Sequence, residues 1–221
     1  MLKTLDLLAE RGEVASRGFE LPAMPAMRAW VDAEPKPANP ALKAAIERAS
    51  GATRTELQLV LAWSEAVNET VADIVHGVPP FPQVREFLEE ASARADQIVV
   101  SATPNEALVR EWNEHGIASH VSVIAGQEMG KKAEHLQLAT DGKYEKDRVL
   151  MIGDAPGDMK AAKANDVLFY PIRPGDEEAS WKRLRDEYLG LFLAGDYRGS
   201  CQEGLIEEFL AGLPEQPPWS N

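Results

Sequence analysis

Apolar residues recur at helical spacing through the first third of the chain. "TRTELQLVLAWSEAVNETVADIVHG" keeps apolar residues three or four positions apart up to Gly77, and "NPALKAAIERASG" runs from Asn-Pro to a glycine at Gly51. The proline-rich stretch between them, "LPAMPAMRAWVDAEPKPANP", cannot form one long helix because proline interrupts the helical hydrogen-bond ladder. We therefore predict a helical unit over residues 1–77.

From residue 78 onward, helical segments alternate with short apolar runs. These runs are "QIVVSA", "HVSVIAG", "RVLMIGD" and "VLFYPI". Their apolar residues are consecutive, which is typical of parallel strands covered by helices on both faces. The pattern predicts an α/β core with a doubly wound, Rossmann-like parallel sheet over residues 78–176, followed by a C-terminal helical extension over 177–221. Ligands of such cores bind beyond the carboxyl ends of the strands.

Composition narrows the possible functions. The net charge of −13, without a Lys/Arg run, argues against a nucleic-acid partner. The single cysteine, Cys201, excludes an internal disulfide and a four-thiolate zinc site, and fits a reducing compartment. No apolar stretch approaches the roughly 20 residues that span a bilayer, and "MLKTLDLLAERGE" is charged where a secretory signal is apolar. We expect a cytoplasmic protein without a membrane partner; the sequence does not indicate its oligomeric state.

Two carboxylates follow the apolar run "RVLMIGD". Gly153 permits a tight turn, and Asp154 and Asp158 flank the loop that begins the next helix, so both can converge above the sheet. Oxygen ligands of this kind suit Mg²⁺, which uses one or two carboxylates together with waters and a substrate phosphate. In the alternative interpretation, Asp154 ends the strand and Asp158 caps the helix.

An anion site is predicted at the ends of the two preceding apolar runs. Ser101 ends "QIVVSA" just before a helix begins, where a hydroxyl and free backbone N–H groups can bind an anion. Lys131 and Lys132 stand where the following helix begins, against the preference set by the helix dipole. The alternatives are a turn residue at position 101 and two solvated lysines.

In this order, these segments resemble the motifs of the haloacid dehalogenase-like superfamily of phosphotransferases and hydrolases. "IVVSATP" resembles the second motif, the lysine of "GKKAEHL" the third, and "VLMIGDAPGDMKAAKAN" the fourth. The resemblance covers about residues 78–175. It implies that the helical residues 1–77 are a cap that closes over the site and selects the substrate, a small phosphorylated metabolite.

The resemblance also assigns a role to each candidate residue. Ser101, with the backbone of Ala102, would bind the transferring phosphoryl group, and Lys132 would neutralise its charge. Asp154 would bind Mg²⁺ directly, and Asp158 directly or through water.

The choice between the two lysines rests on an expected apolar anchor. Lys132 is preferred to Lys131 because Leu138 lies six residues after it, where the helix of this superfamily usually has an apolar residue that anchors it.

One motif of the superfamily is missing. Its first strand ends in Asp-x-Asp-x-Thr, which supplies the nucleophile and the general acid-base, and lies mid-sheet between the strands of the second and fourth motifs. Asp6 has no preceding strand and no Asp two residues later, and Asp196 is followed by Arg198. The resemblance therefore implies that the central first strand is absent from this chain.

Three hypotheses follow from this absence. The first is a Mg²⁺-dependent phosphatase that is complete only with the missing N-terminal strand. The second is a truncated or catalytically inactive relative that binds a phosphate ligand or a partner. The third is a doubly wound protein of another kind, in which Asp154 and Asp158 are only turn and cap residues.

Overall fold

A computed structural model describes residues 1–35 and 37–213 of the chain. The chain divides into two compact units, Met1–His76 and Gly77–Asn221, and each is described by itself. In the described part of the chain, no helix is long and apolar enough to cross a membrane.

The first unit is helical. Prolines occupy the first turn of two of its helices, where the missing N–H has no intrahelical partner in any case. Its helices are α1 (Leu2–Ala9), α2 (Gly12–Ser16), α3 (Pro25–Ala33), α4 (Asn39–Arg48) and α5 (Gly51–Ile74).

A small apolar core joins α3, α4 and the first half of α5. Its buried residues are Met24, Met27, Leu42, Ile46, Leu57 and Val60. The second half of α5 leaves Val67 and Val71 exposed. An open cleft of about 590 Å³ between α3, α4 and α5 is lined by Trp30 and Arg48 among others, and by none of the predicted site residues.

The second unit follows the predicted alternation of helices and strands. Each of the four apolar runs contains a strand, and helices separate the strands. The elements are α6 (Val84–Ser92), β1 (Ile98–Val100), α7 (Asn105–Glu114), β2 (Val123–Ala125), α8 (Lys132–Thr140), β3 (Leu150–Gly153), α9 (Pro156–Ala164), β4 (Leu168–Pro171), α10 (Glu177–Arg183), α11 (Leu189–Ala194) and α12 (Ser200–Ala211). A π-helical turn, Leu184–Tyr188, joins α10 to α11.

The strands form two separate parallel pairs. β1 pairs with β2, with Ile98 opposite Val123, and β3 pairs with β4, with Leu150 opposite Leu168. Among the described residues no backbone ladder joins the pairs, so the single predicted sheet is present as two two-stranded sheets.

Burial differs between the two pairs. In β4, Phe169 and Tyr170 are 2% and 1% exposed, because α9 packs on β3 and β4, and α12 packs on β4. All three residues of β1 are only half-buried, and Val123 in β2 is exposed. The expectation of strands buried on both faces is therefore wrong for β1 and β2.

The C-terminal helices share the core of the second unit. Tyr170 of β4, Tyr188 and Tyr197 form a triangle of rings with centroids 5.6–6.2 Å apart. The hydroxyl of Tyr197 donates to the carbonyl of Phe169 at 2.9 Å, and that of Tyr170 to the carbonyl of Ser180 at 2.8 Å. Burial raises the pKa of both Tyr170 and Tyr197 well above the usual value.

Candidate active site

The predicted site residues lie at the carboxyl ends of β1 and β3 and at the start of α8. Because the strands of each pair are parallel, their carboxyl ends share one edge. The backbone N–H of Ser101, just after β1, donates to the carbonyl of Ala125 at the end of β2, at 3.0 Å. The loops after β1 and β2 therefore begin side by side.

The structure brings Lys132 and Asp158 together. Lys132 is the first residue of α8, and its Nζ donates to Oδ1 of Asp158 at 2.5 Å. The side chain of Asp158 is 2% exposed and that of Lys132 31% exposed. Since a buried carboxylate without a partner is strongly destabilising, the ammonium group compensates the charge of Asp158. This ion pair joins a helix that follows β2 to a helix that follows β3.

Asp158 also caps α9. Its Oδ2 accepts a hydrogen bond from the backbone N–H of Ala155, the N-cap residue, at 3.2 Å. The cap interpretation of this residue and its pairing with Lys132 thus hold at the same time, through different oxygen atoms.

Gly153 makes the burial of Asp158 possible. A Cβ atom at this position would lie 2.4 Å from Cβ of Asp158, far inside van der Waals contact. The sequence predicts a turn glycine here; the structure gives a second reason, the close approach of the Asp158 side chain.

Asp154 takes no part in this ion pair. Its side chain is exposed, and it makes no hydrogen bond or ion pair with the part of the chain that the structure describes. A carboxylate at the end of β3 is therefore available to a ligand from solvent.

Ser101 and Ala102 form a turn after β1. Oγ of Ser101 accepts a hydrogen bond from the backbone N–H of Thr103 at 3.1 Å, while Ala102 is exposed. The alternative interpretation of Ser101 as a turn residue therefore describes its local contact. Its O–H remains a donor, so the turn leaves it able to bind an anion.

The prediction that Leu138 is the apolar anchor of α8 is wrong. Leu138 is 76% exposed, whereas Leu136 is 4% exposed and packs in the core with Val149 and Met151. Leu136 lies four residues after Lys132, on the inward face of the helix, and position 138 points outward. Lys131 is exposed, and it is Lys132 that contacts Asp158. The preference for Lys132 thus rests on this contact.

Comparison with known proteins identifies the family. A family model described as haloacid dehalogenase-like hydrolase matches residues 35–171, more than half of the chain. The chain belongs to the haloacid dehalogenase-like hydrolases. No curated protein and no solved structure matches it.

Hydrolases of the haloacid dehalogenase-like family generally use Mg²⁺, and the residues present fit this ion in part. The exposed carboxylate of Asp154 is a suitable oxygen ligand, whereas both oxygens of Asp158 already accept hydrogen bonds. Within residues 1–35 and 37–213, no group of three or more His, Cys, Asp or Glu side chains is placed to hold a metal. A complete metal site would need further oxygen ligands.

The acidic residues considered as substitutes for the family's nucleophile lie elsewhere. Asp6 forms an exposed ion pair with Arg28 in the first unit, at 2.6 Å, and this contact lowers the pKa of Asp6. Asp196 is exposed after α11. Neither follows a strand.

Three residues that sequence reasoning did not select join the loops of this protein. Oδ1 of Asn105 accepts from the backbone N–H of Gly126 at 3.2 Å, and Oε2 of Glu128 accepts from the backbone N–H of Asn105 at 2.9 Å. These contacts link residues more than 20 positions apart, so no local pattern in the sequence predicts them.

His135 is a further buried polar residue beside these loops. It is 7% exposed, its ring lies against Gly130, and neither ring nitrogen has a hydrogen-bond partner among the described residues. In the sequence it lies four positions after Lys131.

Proposed function

We propose that this protein is a Mg²⁺-dependent phosphatase of a small phosphorylated metabolite, active when a central strand with the nucleophilic aspartate completes the sheet. The observation that carries the proposal is the contact between Lys132 and Asp158. It connects the third and fourth motifs of the family through side chains of helices that follow strands of two different sheets.

The proposed roles follow from the charge of a phosphoryl group. Phosphoryl transfer is accelerated by fixed positive charge and by hydrogen-bond donors that face the transferring oxygens. Lys132 supplies the charge, and the hydroxyl of Ser101 and the backbone N–H of Ala102 supply donors. Asp154 would bind Mg²⁺, whose charge would stabilise the transferring phosphoryl group, and Asp158 would orient Lys132 and bind the ion through water.

The division of the strands into two separate pairs supports the proposal that a central strand is missing. An isolated two-stranded sheet is marginally stable, and parallel strands are normally buried on both faces. β1 is half-buried although all three of its residues are apolar, and its edge away from β2 pairs with no described strand. A strand between β1 and β3 would unite the pairs into one doubly wound sheet and bring its carboxylates beside Asp154.

The absence of an Asp-x-Asp pair favours a second candidate function. Without a nucleophilic carboxylate the covalent step cannot occur, whereas Ser101, Ala102 and Lys132 remain available to an anion. This candidate is a catalytically inactive protein that binds a phosphate ligand or a partner.

Two measurements distinguish the candidates. The DNA upstream of the Met1 codon, translated in frame, is expected to encode an apolar strand ending in Asp-x-Asp. The chain with that segment should hydrolyse p-nitrophenyl phosphate in the presence of Mg²⁺, and Asp154→Asn should abolish this Mg²⁺-dependent turnover. A stop codon at that place, together with Mg²⁺-dependent binding of inorganic phosphate without turnover, would support the second candidate instead.

The setting of the proposed reaction is inferred from composition and from the family. The single cysteine favours a reducing, cytoplasmic location. The charge of −13 favours a small ligand bound by local cations over a nucleic acid. We propose the helical residues 1–77 as the cap that selects the metabolite.

A further inference from the structure

The loops after β1 and β2 are tied by reciprocal hydrogen bonds. The side chain of Asn105 accepts from the backbone of Gly126, and the side chain of Glu128 accepts from the backbone of Asn105. A third bond runs from the backbone N–H of Gln127 to the carbonyl of Thr103 at 3.0 Å. We call Asn105, Gly126 and Glu128 the loop lock.

We propose that Asn105 and Glu128 are positioning residues, which hold the Ser101 loop and the loop before Lys132 in one fixed relation. The proposal rests on the proposed function, in which both loops face the same phosphate. Ser101 and Lys132 make no hydrogen bond to each other. Their separation is therefore set by whatever ties their loops.

The position of Glu128 explains why a carboxylate is suited to this task. The N–H of Asn105 is the first of α7, and the first N–H groups of a helix have no intrahelical partner. A carboxylate at a helix N-terminus gains both a charge-assisted hydrogen bond and a favourable interaction with the helix dipole. Glu128 therefore ties its own loop to the start of α7.

Gly126 allows the two backbones to touch. A Cβ atom at position 126 would lie 2.5 Å from both Cα and N of Asn105. No side chain fits between these backbones, so the hydrogen bonds of the loop lock form only with glycine here.

The loop lock lies next to the site residues on both of its sides. The carbonyl of Ala125, directly before Gly126, accepts the N–H of Ser101. After Glu128 the chain turns at Gly130, and the N–H of Lys131 donates to Oε2 of Glu134 at 3.0 Å, which fixes the start of α8. A shift of the 126–130 loop would therefore move Lys132 relative to Ser101.

Hydrogen exchange of the backbone amides tests the loop lock directly. In Glu128→Ala we expect the amide of Gln127 to exchange about tenfold faster, because the loop that carries it loses a charge-assisted hydrogen bond to the start of α7. Glu128→Gln keeps an acceptor and should remain within about threefold of the unaltered chain. Glu106→Ala is the matched control, since Glu106 is exposed in the first turn of the same helix. Unchanged exchange at Gln127 in Glu128→Ala would overturn the lock.

The positioning role needs a second readout. In Glu128→Ala the affinity for inorganic phosphate with Mg²⁺, measured by calorimetry, should fall several-fold, and Glu128→Gln should restore it at equal thermal stability. The ¹⁵N chemical shift of the Lys132 Nζ atom should change in Glu128→Ala. An unchanged shift and affinity would contradict positioning. If the unaltered chain binds no phosphate, the second candidate function fails as a phosphate-binding protein, and the Lys132 shift alone decides the positioning role.

Discussion

The two strand pairs of the second unit are built from similar apolar runs, yet only one pair is enclosed. β3 and β4 lie under α9 and α12, with Met151, Phe169 and Tyr170 buried. β1 and β2 leave Val99 half-buried and Val123 45% exposed. The run "IVV" is as apolar as "LMIG", so local sequence does not explain the difference. Neighbouring elements determine burial: each of these strands has one partner strand, and α9 and α12 also cover β3 and β4.

The largest expected effect is the loss of the aromatic core below β4. Phe209 of α12 is 1% exposed and its ring centroid lies 6.1 Å from that of Phe169. Phe209→Ala should lower the free energy of unfolding of the second unit by about 3–5 kcal/mol. Native-state hydrogen exchange of the β4 amides would measure it. Leu210→Ala, at a neighbouring residue that is 45% exposed, is the control and should change far less.

Breaking the ion pair should have the next largest effect. Lys132→Met leaves the carboxylate of Asp158 buried without its cation, and we expect a loss of about 2–3 kcal/mol, less than for a fully buried pair because Lys132 is partly exposed. Lys131→Met should stay within about 0.5 kcal/mol. Urea unfolding of both variants, with Asp158→Asn and the double variant, gives the coupling energy. Additive losses in that cycle would show that the two residues do not interact.

Alkaline pH should destabilise the core around β3 and β4 first. Burial raises the pKa of Tyr170 and Tyr197 in the folded state above the ordinary value of 10.0, so unfolding favours release of their protons. The contribution of these two tyrosines to the free energy of unfolding is complete below about pH 10. It declines as the pH rises above this value, by at most about 1.4 kcal/mol per pH unit for each group. Urea unfolding between pH 8 and 11.5 measures the decline. Tyr197→Phe should make it shallower; an identical slope would contradict this cause.

The smallest effect is expected in the exposed pair. Val99→Ala removes apolar surface that is only half-buried, so we expect a loss of about 1 kcal/mol or less. Met151→Ala, in the matching position of β3, should lose about 2–5 kcal/mol because that side chain is 6% exposed. Hydrogen exchange of the β1 and β3 amides compares them. Equal losses would mean that the two pairs are equally enclosed in solution.

The sequence predicted the elements well because their signals are local. Consecutive apolar residues predicted each strand of the second unit, and glycine and proline marked the helix ends. The prediction of a single sheet differs from the two strand pairs of the structure, because strand neighbours depend on residues far apart in the chain. The phase of α8 was also missed: an expected anchor at Leu138 is exposed, and Leu136 is buried in its place.

The candidate site likewise contains residues that local sequence signals reveal and residues that only the three-dimensional structure reveals. Asp154, Asp158, Ser101 and Lys132 stand out because each follows a strand or begins a helix, and the contact between Lys132 and Asp158 joins two of them. Glu128 looks like any exposed glutamate in the sequence. Its hydrogen bond to a helix 23 positions earlier exists only in three dimensions, and no periodicity or capping pattern could reveal it.

The crowding at Gly126 and Gly153 limits how this sequence can drift. At either position even a methyl group would come within 2.5 Å of Asn105 or Asp158, so every replacement must first displace a loop. Gly157, Gly190 and Gly204 have open space around the position of a Cβ atom and can change without such a cost. Substitutions can therefore accumulate at the open glycines of the helices. Gly126 and Gly153 must be inherited unaltered for the loops to keep their shape.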